Sequence, residues 1–191
     1  KIGLSLNNTP IKFSLLEFHK DKSTEGKLSL NFNKYKKKLS IENFSLISKK
    51  NEFTLNELIL SENFKIIDVK KIKLFYKDQN NIANNMILNK KKNFFQIEGN
   101  HFSLSSIIKN ILTEDSRGDQ RLFDQQKRTF KIKFDENYID DDHIIYGLSG
   151  DMIINDNKIE KLNLKSKFAD DKKVLLTINN NDGSQVTTFY S

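Results

Sequence analysis

The sequence has no cysteine and no tryptophan, one proline (Pro10), seven glycines and two alanines, Ala83 and Ala169. Without cysteine there is no disulfide framework, no thiolate zinc site and no cysteine nucleophile. So little glycine and proline excludes collagen-like and Pro/Gly-rich disordered classes. Alanine, the best helix former, is nearly missing, while 15 phenylalanines and many isoleucines and leucines carry the apolar content, a balance that favours strands. Long hydrophobic runs are also missing: no stretch approaches the roughly 18 apolar residues that span a bilayer as a helix, and no signal peptide is visible.

What is present is 191 residues of basic chain with a net charge of +7 and 37% hydrophobic content, below the usual globular share. The length suits one domain or part of a larger one. Arginine occurs only at Arg117, Arg121 and Arg128, leaving 32 − 3 = 29 lysines. Bidentate recognition of phosphate and guanine draws on arginine, whereas lysine is a hydrated point charge suited to wet strand faces. The lysines are spread between apolar residues, and the densest runs are Lys36-Lys37-Lys38 and Lys90-Lys91-Lys92. The charge therefore points to solubility rather than to a specific nucleic-acid partner.

Period two dominates the chain. Leu28, Leu30 and Phe32 share one face, as do Phe130, Ile132 and Phe134, and Leu162, Leu164 and Phe168, with lysine, serine and asparagine between them. Strands are expected at 2–7, 11–19, 26–34, 38–47, 52–60, 64–77, 82–89, 93–99, 128–135, 143–155, 158–168, 172–179 and 184–190. Leu39 and Ile41 lie on the opposite parity from Phe44 and Leu46, which calls for a β-bulge near Glu42-Asn43. Asp156-Asn157 and Asp182-Gly183 supply hairpin turns. Nothing alternates strand with helix as a parallel sheet would require, so the expected fold is all-β, a long curved antiparallel β-meander forming a groove.

One stretch departs from this rhythm. Leu104, Ile107, Ile108 and Ile111 recur at helical spacing, giving a short α-helix over 103–112 with Ser103 as N-cap, packed on the sheet or closing one end of it. A polar loop over 113–127 follows. Residues 1–191 thus read as one β-groove segment of a larger protein, with meanders 1–99 and 128–191 on either side of the helix and loop.

The chemical motifs are sparse. Asp140-Asp141-Asp142-His143 places carboxylates beside a histidine, but neighbours on an extended chain point to opposite faces, so a charged turn is expected and no metal. Asn179 to Gly183 lacks the glutamate of a calcium loop. Gly147-Leu148-Ser149-Gly150 is one residue short of a nucleophile elbow and lacks its strand-to-helix context. His19, His101 and His143 have no triad spacing. No catalytic residue and no cofactor is expected. Two non-catalytic classes stay open, a structural or interaction module of the β-sandwich or adhesin kind and a lipid-binding groove, with a nucleic-acid-stacking sheet behind them. A one-sided sheet curled into a gutter shields acyl chains from water, at roughly 0.8 kcal/mol per methylene covered.

The passage Phe94-Phe95-Gln96-Ile97-Glu98-Gly99-Asn100-His101-Phe102-Ser103-Leu104-Ser105-Ser106-Ile107-Ile108 resembles the strand–glycine–helix passage of AsmA-like proteins, particularly the YhdP type. Ile145 to Ile154 and Lys158 to Ser166 resemble that family's repeated strand, polar turn and leucine-alternating strand. Where an acidic residue is expected shortly after the glycine, this chain has Ser103. The resemblance implies a periplasmic bridge anchored in the inner membrane by a segment outside these residues. Its β-groove, completed by further β-segments of the same chain, would carry phospholipid toward the outer membrane and maintain the envelope. The acyl chains would meet Leu28, Leu30, Phe32, Phe130, Ile132, Phe134, Leu162, Leu164 and Phe168.

Overall fold

The computed structural model describes residues 1–106, 126–140, 142–156, 158–181 and 184–190. They form β1 (Ile2–Ser5), β2 (Ile11–Phe13), β3 (Phe18–Lys20), β4 (Lys27–Tyr35), β5 (Lys38–Ser48), β6 (Asn51–Ser61), β7 (Ile66–Lys77) and β8 (Ala83–Lys90). Then follow β9 (Phe95–Ser103), β10 (Arg128–Tyr138), β11 (Ile144–Asn155), β12 (Lys158–Lys167), β13 (Lys173–Asn181) and β14 (Ser184–Tyr190). Twelve of these strands make one sheet in the order β1-β4-β5-β6-β7-β8-β9-β10-β11-β12-β13-β14, and β2 and β3 pair separately. The fold is an all-β, curved meander whose sheet is open rather than closed into a barrel.

Three expectations are corrected. The run 11–19 is not one strand: a 3-10 turn at Ser14–Leu16 and a left-handed Glu17 (φ 50°) fold it into the β2–β3 hairpin, so β1 pairs with β4 instead. The sheet is not antiparallel throughout, because β9 and β10 run parallel, Phe95 opposite Phe130 and Ser103 opposite Tyr138. Ser103 is the last residue of β9 rather than an N-cap. Its N–H donates to Asn84 Oδ1 at 2.7 Å, and the Leu104 N–H donates to the Tyr138 carbonyl, so the ladder persists past Gly99. Helical backbone begins at Ser105; the rest of the expected helix, with Ile107, Ile108 and Ile111, and loop residues 113–125 lie outside the described residues.

The bend near Glu42-Asn43 is present and extends across several strands. Apolar parity switches in β5, β6 and β7 at one level, marked by Glu42, Glu57 and Lys70. β4 keeps a single parity, so the mismatch appears as a register shift between Asn31 and Phe32. Glu57 adopts φ 49°, and its carboxylate pairs with Lys70 across the bend. Glu42 accepts from Asn31 at 2.5 Å and Asn33 at 2.6 Å. A second bend crosses β11 at Gly147 (φ 64°), where the pairing with β12 shifts between Tyr146 and Ser149. An extra residue opposite a continuous partner forces a local kink, so these lines curve the sheet.

Tight turns use positive-φ lysines at Lys36 and Lys49, with Phe64, Asn81, Asp156 and Asp171 in others. A glycine-poor chain thus accepts steric cost at turn positions that glycine would fill freely. Two glycines elsewhere are required for space. A Cβ on Gly99 would lie 1.9 Å from the Asn85 carbonyl oxygen and 2.8 Å from the Phe134 ring, and one on Gly150 would lie 1.9 Å from the Asn163 carbonyl oxygen.

Candidate functional site

Register links the apolar face into rows that run across the strands. The longest passes through Ile2, Leu30, Phe44, Leu55, Ile72, Leu88, Ile97, Ile132, Gly150, Leu164 and Leu176, and backbone pairing continues it to position 189, with Gly150 a gap at β11. Most of its side chains from Leu30 to Leu176 are half-buried, and only Leu88 is buried. The row is therefore a floor with partial cover.

On one side of this floor lies a row of Leu28, Leu46, Phe53, Leu74 and Met86, and it is capped. The β2–β3 hairpin lays Phe18 over it, with ring centroids 4.6 Å from Phe53 and 5.8 Å from Tyr76, and Phe13 adds a further edge contact to Phe53. The hairpin is held by a buried lysine: Lys20, 2% exposed, donates to the carbonyls of Leu6, Thr9 and Asp21 at 2.7, 2.9 and 3.1 Å. Glu17 at its tip accepts hydrogen bonds from Ser105 and Ser106. Burial, and then the nearby Asp78 and Glu17 carboxylates, push the Tyr76 hydroxyl above the usual phenol range.

On the other side, Phe130, Met152, Leu162 and Ile178 form a row beside the Phe95 ring, which stacks on Phe130 at 5.3 Å. Near this end the buried Arg128 reaches from β10 to β7 and donates to the Ile66 and Ile67 carbonyls at 3.1 and 2.8 Å.

The nine sequence-predicted residues fall as follows. Leu30, Ile132 and Leu164, taken from three separate strands, share the floor row. Phe130 and Leu162 share the row beside it, Leu28 and Phe134 pack with the capped cluster, and Phe168 joins that cluster near the end of β12. Phe32 faces Ile41 and is 37% exposed. Leu104 packs on the same cluster as Phe134. Sequence reasoning left out Phe44, Leu55, Ile72, Leu88, Ile97 and Leu176, which complete the row. Their signal was the same alternation; parity switches in β5, β6 and β7 concealed the shared face for Phe44, Leu55 and Ile72, and for Leu88, Ile97 and Leu176 only the register between strands reveals it.

Polar clusters organise turns. Asp140 accepts from the Asp142 and His143 backbone at 2.9 and 2.8 Å and lies 2.8 Å from His143 Nδ1, contacts that hold its carboxyl below the usual range. Among the described residues no three His, Asp or Glu side chains gather as metal ligands. Ser149 lies within β11 between Lys133 and Lys165, without the strand-to-helix turn of a nucleophile elbow. An open depression of about 620 Å³ beside Phe168 and His143 lies at a strand-end rim.

The chain matches no family model, no curated protein and no solved structure.

Proposed function

We propose that this chain is a non-catalytic lipid-binding segment whose apolar trough holds phospholipid acyl chains and lets them move along it. The observation that carries the reading is the apolar row that register carries across the large sheet, half-buried from Leu30 to Leu176 for most of its side chains and interrupted at Gly150. At about 4.8 Å per strand the row is about 50 Å long, some three times the reach of one acyl chain in a hydrocarbon core about 30 Å thick. It thus has the dimensions of a path rather than of a pocket for one ligand. Covering half of a chain of about 15 methylenes contributes about 6 kcal/mol, enough to hold a lipid while leaving it free to slide.

The resemblance to AsmA-like proteins of the YhdP type supports the wider proposal. The segment would belong to a periplasmic bridge anchored in the inner membrane outside these residues, moving phospholipid toward the outer membrane and maintaining the envelope. A structural β-sandwich would face its sheet with a second one. Among the described residues no second large sheet faces the apolar face; the β2–β3 hairpin, with Leu6 and Leu104, covers part of it.

Organic extraction of the purified protein followed by mass spectrometry tests the reading. Co-purifying phospholipid is expected, with reduced occupancy in an Ile132→Gln, Leu164→Gln variant that keeps its strand content. Lipid-free protein, or equal occupancy in the variant, would sink the conduit.

A further inference from the structure

Strand direction sorts the turns onto two rims. The β4–β5, β6–β7 and β8–β9 turns and the entry to β10 share one rim, and the β5–β6, β7–β8, β10–β11 and β12–β13 turns share the other. Among the described residues the first rim carries Lys36, Lys37, Lys65, Lys91, Lys92 and Lys127, opposed in those turns by Glu62. Asp156, in the β11–β12 turn, adds one more acid there. The second rim carries five aspartates, Asp78, Asp140, Asp142, Asp170 and Asp171, against Lys49, Lys50 and Lys172. The fold thus brings the two densest lysine runs of the sequence, 36–38 and 90–92, onto one rim. Among the described residues Lys37 faces Glu62 at 4.0 Å and Lys127 faces Glu160, while Lys36, Lys65, Lys91 and Lys92 have no ion pair.

Aromatic rings stand at the same rim, in its turns or, for Tyr35, at the end of β4. Phe64 is 74% exposed and Tyr35 64% exposed, the two most solvent-open large hydrophobic side chains described. Phe64 stands at φ 56°, a left-handed position that favours glycine or asparagine, and its turn is closed by its backbone N–H donating to the Ser61 carbonyl. The turn needs no phenyl ring, and it tolerates one at a steric cost and in water. Phe94, in the β8–β9 turn, lies under the Lys131 ammonium, 4.8 Å from the ring centroid. Successive turns on this rim are two strands apart, so Tyr35, Phe64 and Phe94 are spaced about 10 Å from one to the next.

We propose that this rim docks on the interfacial region of an anionic lipid bilayer. Lysines meet the headgroup phosphates while the Tyr35 and Phe64 rings enter the headgroup–acyl boundary, the depth that amphipathic aromatic side chains favour. A single-stranded nucleic acid fits less well: Phe94 already lies under the Lys131 ammonium, leaving Tyr35 and Phe64 as the two solvent-open rings here, short of a continuous stacking platform. Arg128, the one arginine among the described residues, is also engaged with the Ile66 and Ile67 carbonyls. Docking needs only the rim, so the inference goes beyond the conduit and does not depend on it.

Co-sedimentation of the full chain with phosphatidylcholine vesicles, with and without phosphatidylglycerol, tests it. Binding is expected only with phosphatidylglycerol. A Phe64→Gly, Tyr35→Ser variant should bind about tenfold more weakly, while Gly at position 64 relieves left-handed strain and keeps the fold intact. A Lys36→Gln, Lys37→Gln, Lys91→Gln, Lys92→Gln variant should lose the preference for anionic vesicles. Phe75→Ser, on a 45% exposed side chain away from these turns, should bind as the parent does. The inference is overturned if the parent does not bind, if the rim variants bind as it does, or if an oligonucleotide displaces the vesicles at physiological salt.

Discussion

Arg128 Nη2 lies 2.8 Å from the Ile67 carbonyl oxygen, tying the start of β10 to the start of β7 past the β8–β9 hairpin between them. Two strands separated by a hairpin meet this way only because the sheet bends. The shift between Ile59 and Leu60 in the β6–β7 register supplies a local bend beside Ile67. The guanidinium therefore acts as a clamp on curvature. Arg128→Met should destabilise by about 3 kcal/mol, since two charge-assisted hydrogen bonds are lost and carbonyls are left without a donor. Arg128→Lys, with a single compact ammonium, should recover part of that. Urea unfolding midpoints check both, and an unchanged midpoint in Arg128→Met would show that the curve holds without its clamp.

The glycines predict a rank order of alanine substitutions. Gly99→Ala and Gly150→Ala drive a methyl into backbone carbonyls and should each cost more than about 3 kcal/mol or prevent folding. Gly147→Ala meets no atom within 4 Å but keeps φ 64°, so it should cost about 1 kcal/mol. Gly3→Ala, with nothing near and no unusual φ, should be close to neutral. Thermal denaturation of the four variants tests the order, and a Gly147→Ala loss as large as that of Gly99→Ala would contradict it.

Tyr76 predicts an alkaline limit. Its hydroxyl is pushed above the ordinary phenol value of 10.0, so above about pH 10 the folded chain holds a proton that the unfolded chain releases. The unfolded state then binds fewer protons than the native state, and stability falls as pH rises from there toward the folded value. Below pH 10 the contribution is complete. Unfolding midpoints measured from pH 8 to 11 should decline above about 10 in the parent and decline less in Tyr76→Phe, and parallel curves would remove Tyr76 as the cause.

Much of the strand plan is visible in alternation, and the parity conflict at Leu39, Ile41, Phe44 and Leu46 located the first bend correctly. The β2–β3 hairpin was hidden because residues 11–19 read as one strand, whereas a 3-10 turn at Ser14–Leu16 and the left-handed Glu17 break it. Gly99 looked like a strand end, yet it is a glycine because the Asn85 carbonyl and the Phe134 ring leave no space for a side chain. Lysine turns at Lys36 and Lys49 carry no turn signal at all. The parallel partnership of β9 and β10 depends on where the chain goes after Ser103, which no local pattern encodes. Of the candidate site, the face of each strand was legible but the row was not, because a row is a property of register between strands.

The parallel step between β9 and β10 also bears on how such a sheet could grow. A ribbon linked only by hairpins lengthens two strands at a time through a duplicated tight turn, whereas a parallel neighbour needs a connection of about a dozen residues or more. Here that step resets strand polarity, so β1 and β14 point the same way and the sheet divides into two hairpin-built ribbons, β4 to β9, with β1 added at its edge, and β10 to β14. Either ribbon can gain or lose a hairpin without disturbing the other. The seam between them is the place where length is least free to change.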